Sequence, residues 1–263
     1  MRAAVLGSPI SHSLSPTLHR AAYAALDLND WSYEAVEVDQ QALPGFIAGL
    51  DADWAGLSLT MPLKETVIPL LDDVSAVAMQ TRSVNTITVS SDGLRGDNTD
   101  IDGIRFALER IGVWRATRAT VVGAGATARS AIVALAGLGA HEIWVVARRS
   151  QAVDELRDLA DERGITLTHV PFDESGAAMS ADVVVSTVPA GAADPLASEV
   201  AAGAGALLDV VYHPWPTPLA ATWQAAGGKV APGLDMLVGQ AAKQVTLMTG
   251  HPAPIDAMLA AVR

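Results

Sequence analysis

The sequence has no cysteine among its 263 residues. Disulfide bonds, thiolate nucleophiles and metal sites with cysteine ligands are therefore excluded. No apolar run reaches the length needed to cross a membrane, and the first residues read as a short strand and a turn rather than a signal peptide. We therefore expect no membrane partner and a cytoplasmic location.

Basic residues are also scarce. The chain has 17 Lys and Arg against 29 Asp and Glu, which gives a formal net charge of −12. This balance argues against a generally basic surface, so we expect no nucleic-acid partner. An anionic ligand would need a local cluster of Lys, Arg or main-chain N–H groups. Half of the residues are hydrophobic, as in a folded globular protein with ample core.

Apolar runs of strand length alternate with helix-like stretches along the whole chain, a pattern typical of α/β proteins. In the first part the pattern predicts strands at residues 3–6, 31–38, 54–59 and 85–89. It also predicts a helix at residues 16–28, with Ser15 as its N-cap and Pro16 in its first turn. Ser91-Asp92-Gly93 predicts a hairpin turn.

The second part begins after a predicted helix at residues 100–111. The predicted strands are residues 119–122, 142–147, 167–170, 182–187, 206–211 and 229–231. This count fits a doubly wound nucleotide-binding domain, with a boundary near Asp100 and a return of the chain near Gly233. A final helix at about residues 236–248 is long enough to pack back on the first domain.

A glycine-rich turn follows the first of these strands. Gly123-Ala124-Gly125-Ala126-Thr127-Ala128 has the form Gly-x-Gly-x-x-Ala between a strand and an Ala-rich helix. The first glycine permits the tight turn, the second lets a pyrophosphate approach the backbone, and Ala128 lets the helix and the strand pack closely. The pattern predicts a dinucleotide site; the alternative is a structural glycine turn.

Two arginines, Arg148 and Arg149, follow the next strand, where an NAD enzyme usually carries Asp or Glu. A carboxylate there would repel a ribose 2′-phosphate, whereas a guanidinium would bind it. The pair therefore predicts NADP rather than NAD. The alternative is a solvated surface pair.

Six further motifs occur in order along the chain: residues 9–19 (PISHSLSPTLH), 59–64 (LTMPLK), 83–86 (SVNT), 96–103 (GDNTDIDG), 209–219 (DVVYHPWPTPL) and 233–241 (GLDMLVGQA). Together they closely resemble the motifs of the shikimate dehydrogenase family. The resemblance implies a substrate-binding catalytic domain (residues 1–99), a Rossmann-type NADP-binding domain (100–235) and C-terminal helices (236–263) that pack on the first domain. The site would be the cleft between the domains. The implied reaction is the reversible NADPH-dependent reduction of 3-dehydroshikimate to shikimate in chorismate and aromatic amino-acid biosynthesis.

The resemblance also implies roles for individual substrate-site residues. The expected substrate contacts are Ser13, Ser15 and Thr60 on the carboxylate, Asn85 and Asp100 on ring hydroxyls, and Tyr212 and Gln240 completing the pocket with Lys64. Other readings remain open: N-capping for the serines and Asp100, a turn for Asn85, and core packing for Tyr212.

Lys64 is the expected acid/base. Reduction of a ketone builds negative charge on its oxygen, and a nearby ammonium can stabilise and protonate that oxygen. Asp100 is the expected partner that orients Lys64 and shares its proton network. Sequence leaves open which of the two carries the proton in the chemical step, and a solvent-facing lysine is the alternative.

On the cofactor side, the resemblance places residues 123–127, Arg148 and Arg149 at the phosphates. Its remaining expected cofactor contacts are Thr187, Val210 and Gly233, and Met236 is a candidate neighbour of the nicotinamide or a core residue. No metal site is expected, because neither carboxylates nor cysteines accompany His12 and His19 at ligand spacing.

Some residues depart from the commoner family pattern. Arg20 and Ser58 each stand where asparagine is usual in that family. The alternatives are a quinate/shikimate dehydrogenase of the same family and a non-catalytic NADP-binding sensor; the sensor need not retain Lys64 and Asp100. The sequence leaves the oligomeric state open, a homodimer included.

Overall fold

The computed structural model describes residues 1–262. The chain divides into two compact units. The first unit comprises Met1–Asp100 and the chain from Leu237 onward, and the second comprises Ile101–Met236.

The first unit is built on a six-stranded sheet. Its elements are β1 (Arg2–Gly7), α1 (Ser15–Ala25), β2 (Ser32–Glu37), α2 (Leu43–Ala48), β3 (Trp54–Leu59), α3 (Leu63–Thr66), β4 (Asp73–Val74), α4 (Ala76–Thr81), β5 (Thr86–Ser90) and β6 (Gly93–Asp97). The strand order is β2-β1-β3-β5-β6-β4. β1 pairs in parallel with β2 and β3, whereas β5 runs antiparallel to β3 and β6. The predicted hairpin is confirmed, since β5 and β6 pair Ser90 with Gly93 across the turn.

The start of α1 differs from the prediction. Leu14, not Ser15, is the N-cap residue, and no side chain caps the helix. Instead the Ser13 hydroxyl accepts a hydrogen bond from the Ser15 main-chain N–H at 3.3 Å. The helix ends at Ala25 rather than at residue 28, just before Asp27 adopts a left-handed φ of 55°. Ser15 therefore does not cap the helix.

The second unit begins within α5 (Asp100–Arg110), whose first residue belongs to the first unit. Its further elements are β7 (Arg118–Val122), α6 (Ala126–Gly137), β8 (Glu142–Val146), α7 (Ser150–Asp154), α8 (Arg157–Asp161), β9 (Thr166–Val170), β10 (Val183–Ser186), β11 (Ala206–Asp209), α9 (Pro218–Ala225) and β12 (Lys229–Pro232). Its strand order is β12-β11-β10-β7-β8-β9, with every pair parallel. The order reverses between β7 and β10, as in a doubly wound sheet, so the predicted fold class is confirmed.

Two helices complete the described chain, α10 (Gly233–Thr249) and α11 (Ile255–Ala260). From Leu237 onward α10 belongs to the first unit. No helix within residues 1–262 is both long and apolar enough to cross a membrane.

Candidate active site

Polar side chains converge at one edge of the first sheet. β1 and β3 are parallel, so their carboxyl ends lie together at this edge, where Thr60 directly follows β3. β5 is antiparallel to β3 and begins at the same edge, just after Asn85. β6 ends opposite the start of β5, which brings Asp100 to the same place three residues later. Carboxyl ends of parallel strands are the usual location of ligand sites in α/β proteins.

Lys64 and Asp100 form a tight ion pair at this edge. Lys64 Nζ lies 2.6 Å from Asp100 Oδ2, and the two side chains are only 16% and 2% exposed. The second carboxylate oxygen accepts a hydrogen bond from Asn85 Nδ2 at 2.7 Å. The structure thus places Lys64 in a buried polar cluster and not in solvent.

The Asn85 carboxamide is fixed by its neighbours. Its oxygen accepts hydrogen bonds from the Thr99 main-chain N–H and the Thr86 hydroxyl, both at 2.8 Å. Its nitrogen therefore faces Asp100 and also donates to Gln240 Oε1 at 3.0 Å. Because the Gln240 oxygen is used in this way, its amide N–H groups remain available to another acceptor.

The two serines and Thr60 belong to the same unit. Ser15 is buried, while Ser13 and Thr60 are half-buried. The Thr60 main-chain N–H donates to Leu6 O at 2.9 Å, and a Cβ at Gly7 would lie only 2.4 Å from Thr60 Cγ2. Glycine at position 7 is therefore what allows Thr60 to lie against the end of β1.

Sequence reasoning missed a buried glutamine in this unit. Gln244 is 3% exposed and contacts Ser58, His19 and Thr86. A signal was available, because residues four apart lie on one helix face and Gln244 follows Gln240 by four. The two departures from the family pattern also meet nearby, at Tyr33. Arg20 Nε donates to Tyr33 O at 2.9 Å, and Tyr33 Oη donates to Ser58 Oγ at 2.6 Å.

The second unit contains a cavity of about 650 Å³ at the carboxyl end of its sheet. It is lined by Gly123, Ala124, Gly125, Ala147, Arg148, Arg149, Ala152, Phe172, Asp173, Val188, Pro189, Ala192 and Pro195. Gly123 has a φ of 104°, and a Cβ there would lie 2.7 Å from Thr187 Oγ1, so the turn requires glycine. Among residues 1–262, no side chain caps the start of α6 at Gly125. Its first N–H groups can therefore serve a phosphate.

Arg148 and Arg149 line the same cavity directly after β8. Both are exposed, and neither makes an ion pair or hydrogen bond within residues 1–262. Two free guanidinium groups beside unpaired helix N–H groups suit a phosphorylated dinucleotide. Other predicted cofactor residues are not among the lining residues: Ala126, Thr127, Thr187, Val210 and Gly233.

Most cavity residues that the sequence did not indicate follow β9 and β10, among them Phe172, Asp173 and Pro189, and one more, Ala152, lies in α7. Only the order of the strands could have indicated them, because β10 and β8 both flank β7.

Tyr212 lies in the second unit, whereas Lys64 lies in the first. Its loop begins at Asp209, which is buried and accepts hydrogen bonds from Thr217 Oγ1 at 2.7 Å and the Val211 main-chain N–H at 3.2 Å. Burial raises the pKa of both the Asp209 carboxyl and the Tyr212 phenol. Asp209 thus anchors the segment that carries Tyr212.

Comparison with known proteins shows which family the chain matches. Residues 5–87 match the model of the shikimate dehydrogenase substrate binding domain, and residues 233–263 match that of the shikimate 5′-dehydrogenase C-terminal domain. Residues 118–211 match the model of coenzyme F420-dependent NADP oxidoreductases. A shikimate dehydrogenase (NADP⁺) of Thermus thermophilus is 38% identical over 95% of this chain and 93% of its own length. This chain belongs to the shikimate dehydrogenase family.

Solved structures of the family agree over nearly the whole chain. Mycobacterium tuberculosis shikimate dehydrogenase is 45% identical, with a TM-score of 0.93, over 99% of this chain and 98% of that one. A Thermus thermophilus shikimate 5-dehydrogenase in complex with NADP(H) and shikimate is 36% identical, with a TM-score of 0.88 and the same coverage. The predicted family resemblance and the two-part α/β fold are therefore confirmed.

Proposed function

We propose that this chain catalyses the reversible NADPH-dependent reduction of 3-dehydroshikimate to shikimate, a step of chorismate and aromatic amino-acid biosynthesis. The observation that carries the proposal is the Lys64–Asp100 pair, 2.6 Å apart and largely buried at the edge of the first sheet. A protein that only sensed NADP would have no need to bury a lysine against a carboxylate in this way. The first unit would serve the substrate and the second the cofactor.

Proton transfer is the task of Lys64 in this proposal. During reduction its ammonium donates a proton to the ketone oxygen as negative charge develops there, and in the reverse direction the amine takes the proton back. Asp100 accepts hydrogen bonds from Lys64 and Asn85 on its two oxygens, which holds the lysine in one place. Such positioning supports proton transfer because the reacting groups need little rearrangement.

Recognition of the substrate falls to the hydroxyl and amide groups around this pair. The hydroxyls of Ser13, Ser15 and Thr60 can donate to the shikimate carboxylate. Asn85, Asp100 and Gln240 would bind ring hydroxyls, with Gln240 using the N–H groups that its bond to Asn85 leaves free. Tyr212 would contribute from the second unit.

The residues of the second unit fit NADP. When bound, NADPH supplies the hydride that the reduction requires. The main-chain groups of residues 123–127 would hold the pyrophosphate at the start of α6, and Arg148 and Arg149 would bind the 2′-phosphate. Thr187, Val210 and Gly233 would border the dinucleotide.

Initial rates over a two-by-two matrix of substrates and cofactors test the proposal. We expect the highest kcat/KM for the pair shikimate and NADP⁺, with quinate and NAD⁺ both inferior. Higher kcat/KM with quinate would reassign the substrate. Binding of NADP without turnover of either substrate would contradict the enzymatic proposal and favour a sensor.

A further inference from the structure

A chain of buried hydrogen bonds lies behind the Lys64–Asp100 pair, with Gln244 of α10 at its centre. Gln244 Oε1 accepts from Ser58 Oγ at 2.9 Å and from His19 Nε2 at 3.2 Å. Gln244 Nε2 donates to Asn85 O at 3.3 Å and to Thr86 Oγ1 at 3.1 Å. His19, Ser58 and Thr86 are each 3% exposed or less.

The direction of every bond in this chain is fixed. The main-chain oxygen of Asn85 can only accept, so the Gln244 nitrogen faces it and the Gln244 oxygen faces Ser58 and His19. Ser58 therefore donates to Gln244 and accepts from Tyr33. His19 donates through Nε2, and burial lowers its pKa to about 3, so the imidazole is neutral. Reversing any one of these groups would place two donors or two acceptors face to face.

The chain of hydrogen bonds extends towards the Lys64–Asp100 pair through Thr86. Thr86 Oγ1 accepts from Gln244 at 3.1 Å and donates to Asn85 Oδ1 at 2.8 Å. That bond helps to turn the Asn85 nitrogen towards Asp100 and Gln240. Gln240 and Gln244 lie on one face of α10. The helix therefore bonds Asn85 at two points: Gln240 at its side chain and Gln244 at its main chain.

The other end of this chain of hydrogen bonds, at His19, is held by packing. The His19 ring stacks on Tyr33 with a centroid distance of 3.9 Å and an interplanar angle of 14°. Ser58 lies directly opposite Thr86 in the β3–β5 pairing, so the Gln244 side chain bonds residues of two neighbouring strands. Gln244 is thus fixed from both sides.

We propose that Gln244 is a positioning residue of the reaction, which holds the Asn85 carboxamide, and through it Asp100, in the geometry that Lys64 requires. The inference rests on the proposed function. It adds a residue whose side chain bonds Ser58, His19, Thr86 and the Asn85 main chain, and it gives Ser58 and Tyr33 a role as supports of Gln244.

The first test replaces Gln244 by methionine, which has similar length but cannot make these hydrogen bonds. We expect Gln244→Met to lower kcat with shikimate about tenfold or more, as misplacement of supporting groups does. KM for NADP should stay within twofold of wild type. Val245→Ala, a change of a fully buried apolar residue on the same helix, is the control for lost stability and should keep wild-type kcat. Equal kcat for Gln244→Met and wild type, or equal losses in both variants, would overturn the inference.

A coupling measurement with Thr86→Val examines the route. If Gln244 acts through Thr86, each single change already breaks the path, and the double variant should lose little more than Gln244→Met alone. Additive losses in kcat/KM would contradict this route.

A readout independent of turnover separates this inference from the proposed function. The chain has three asparagines, so ¹⁵N-asparagine labelling gives few side-chain amide signals. Exchange of the Asn85 side-chain protons with water should be slow in wild type and in Val245→Ala, and at least tenfold faster in Gln244→Met, since loss of a holding bond raises local opening. Unchanged exchange would overturn the positioning role even in an active enzyme. A wild-type protein without shikimate turnover would overturn the proposed function, while a difference in exchange would still support Gln244 as the group that holds Asn85.

Discussion

The candidate substrate region and the candidate cofactor region hold their functional groups in opposite ways. In the first unit, Lys64, Asn85 and Asp100 are held by one another and by buried neighbours. In the second unit, Arg148 and Arg149 are exposed and without partners within residues 1–262, beside main-chain N–H groups of a glycine turn.

This difference follows from the two tasks. Proton transfer needs groups already in place, and each partner removed from a buried network leaves another unsatisfied. Binding a phosphate needs only charge and donors of suitable geometry, and solvent screens a lost contact there. Substitutions at Lys64 and the buried groups that hold it should therefore act mainly on turnover, and those at the arginines mainly on affinity for one ligand.

The largest effect should come from Lys64→Ala. We expect kcat to fall roughly a hundredfold or more, the usual scale for losing a general acid/base, with a smaller change in KM for shikimate. Steady-state rates with both substrates saturating measure this. Lys243→Ala, which removes an exposed lysine of the same unit, is the matched control and should leave kcat unchanged. Wild-type kcat in a folded Lys64→Ala protein would refute the assignment.

The double change Arg148→Ala with Arg149→Ala should come next. We expect KM for NADP to rise about ten- to a hundredfold, because charge-assisted hydrogen bonds to the 2′-phosphate are lost. KM for NAD should hardly change, and the preference for NADP in wild type should shrink with added salt. Arg115→Ala with Arg118→Ala removes the same charge from exposed positions of the same unit and serves as the control. If both cofactors weaken equally, the arginines are structural.

Replacing Ser13 and Ser15 by alanine should have a more moderate effect. Two hydroxyl donors to the carboxylate disappear, so we expect KM for shikimate to rise about tenfold while KM for NADP is largely kept. If affinity for shikimate and affinity for NADP fall in parallel, this assignment is wrong. The loss would then come from the Ser13–Ser15 turn and a folding defect.

The smallest effect at neutral pH concerns His19, which faces Gln244, Tyr23 and Tyr33. Its pKa is about 3 in the folded chain against an ordinary value of 6.5, so the unfolded chain binds the extra proton between these values. The free energy of unfolding should therefore fall as pH drops through this window, by up to about 1.4 kcal/mol per pH unit. Urea unfolding at several pH values, compared with His19→Phe, isolates this contribution. Parallel pH curves for the two proteins would show that His19 does not titrate in this way.

Local patterns predicted much of the fold. All six strands from residue 119 onward were predicted, because apolar runs bounded by turns mark buried parallel strands well. β4 was missed, since a strand of two residues, Asp73–Val74, has no pattern of its own. The cap of α1 was misassigned, because Ser15 is already the first helical residue and the N-cap position falls on Leu14, which has no side-chain acceptor.

The candidate site was likewise predicted only in part. Lys64 and Asp100 lie 36 residues apart, and only the family resemblance paired them before the structure placed them 2.6 Å apart. Gln244 was not predicted, because its bonds to Ser58 and Thr86 depend on how α10 packs across two strands. The loop residues of the cavity, such as Asp173, depend likewise on strand order. Contacts between distant segments are thus what the sequence pattern leaves out.

Isothermal titration of shikimate and NADP into the two double variants tests most directly whether the units do separate work. We predict that the arginine variant loses about tenfold or more of its affinity for NADP and keeps its affinity for shikimate, while the serine variant shows the reverse. A similar loss of both ligands in both variants would contradict the division of tasks between the two units.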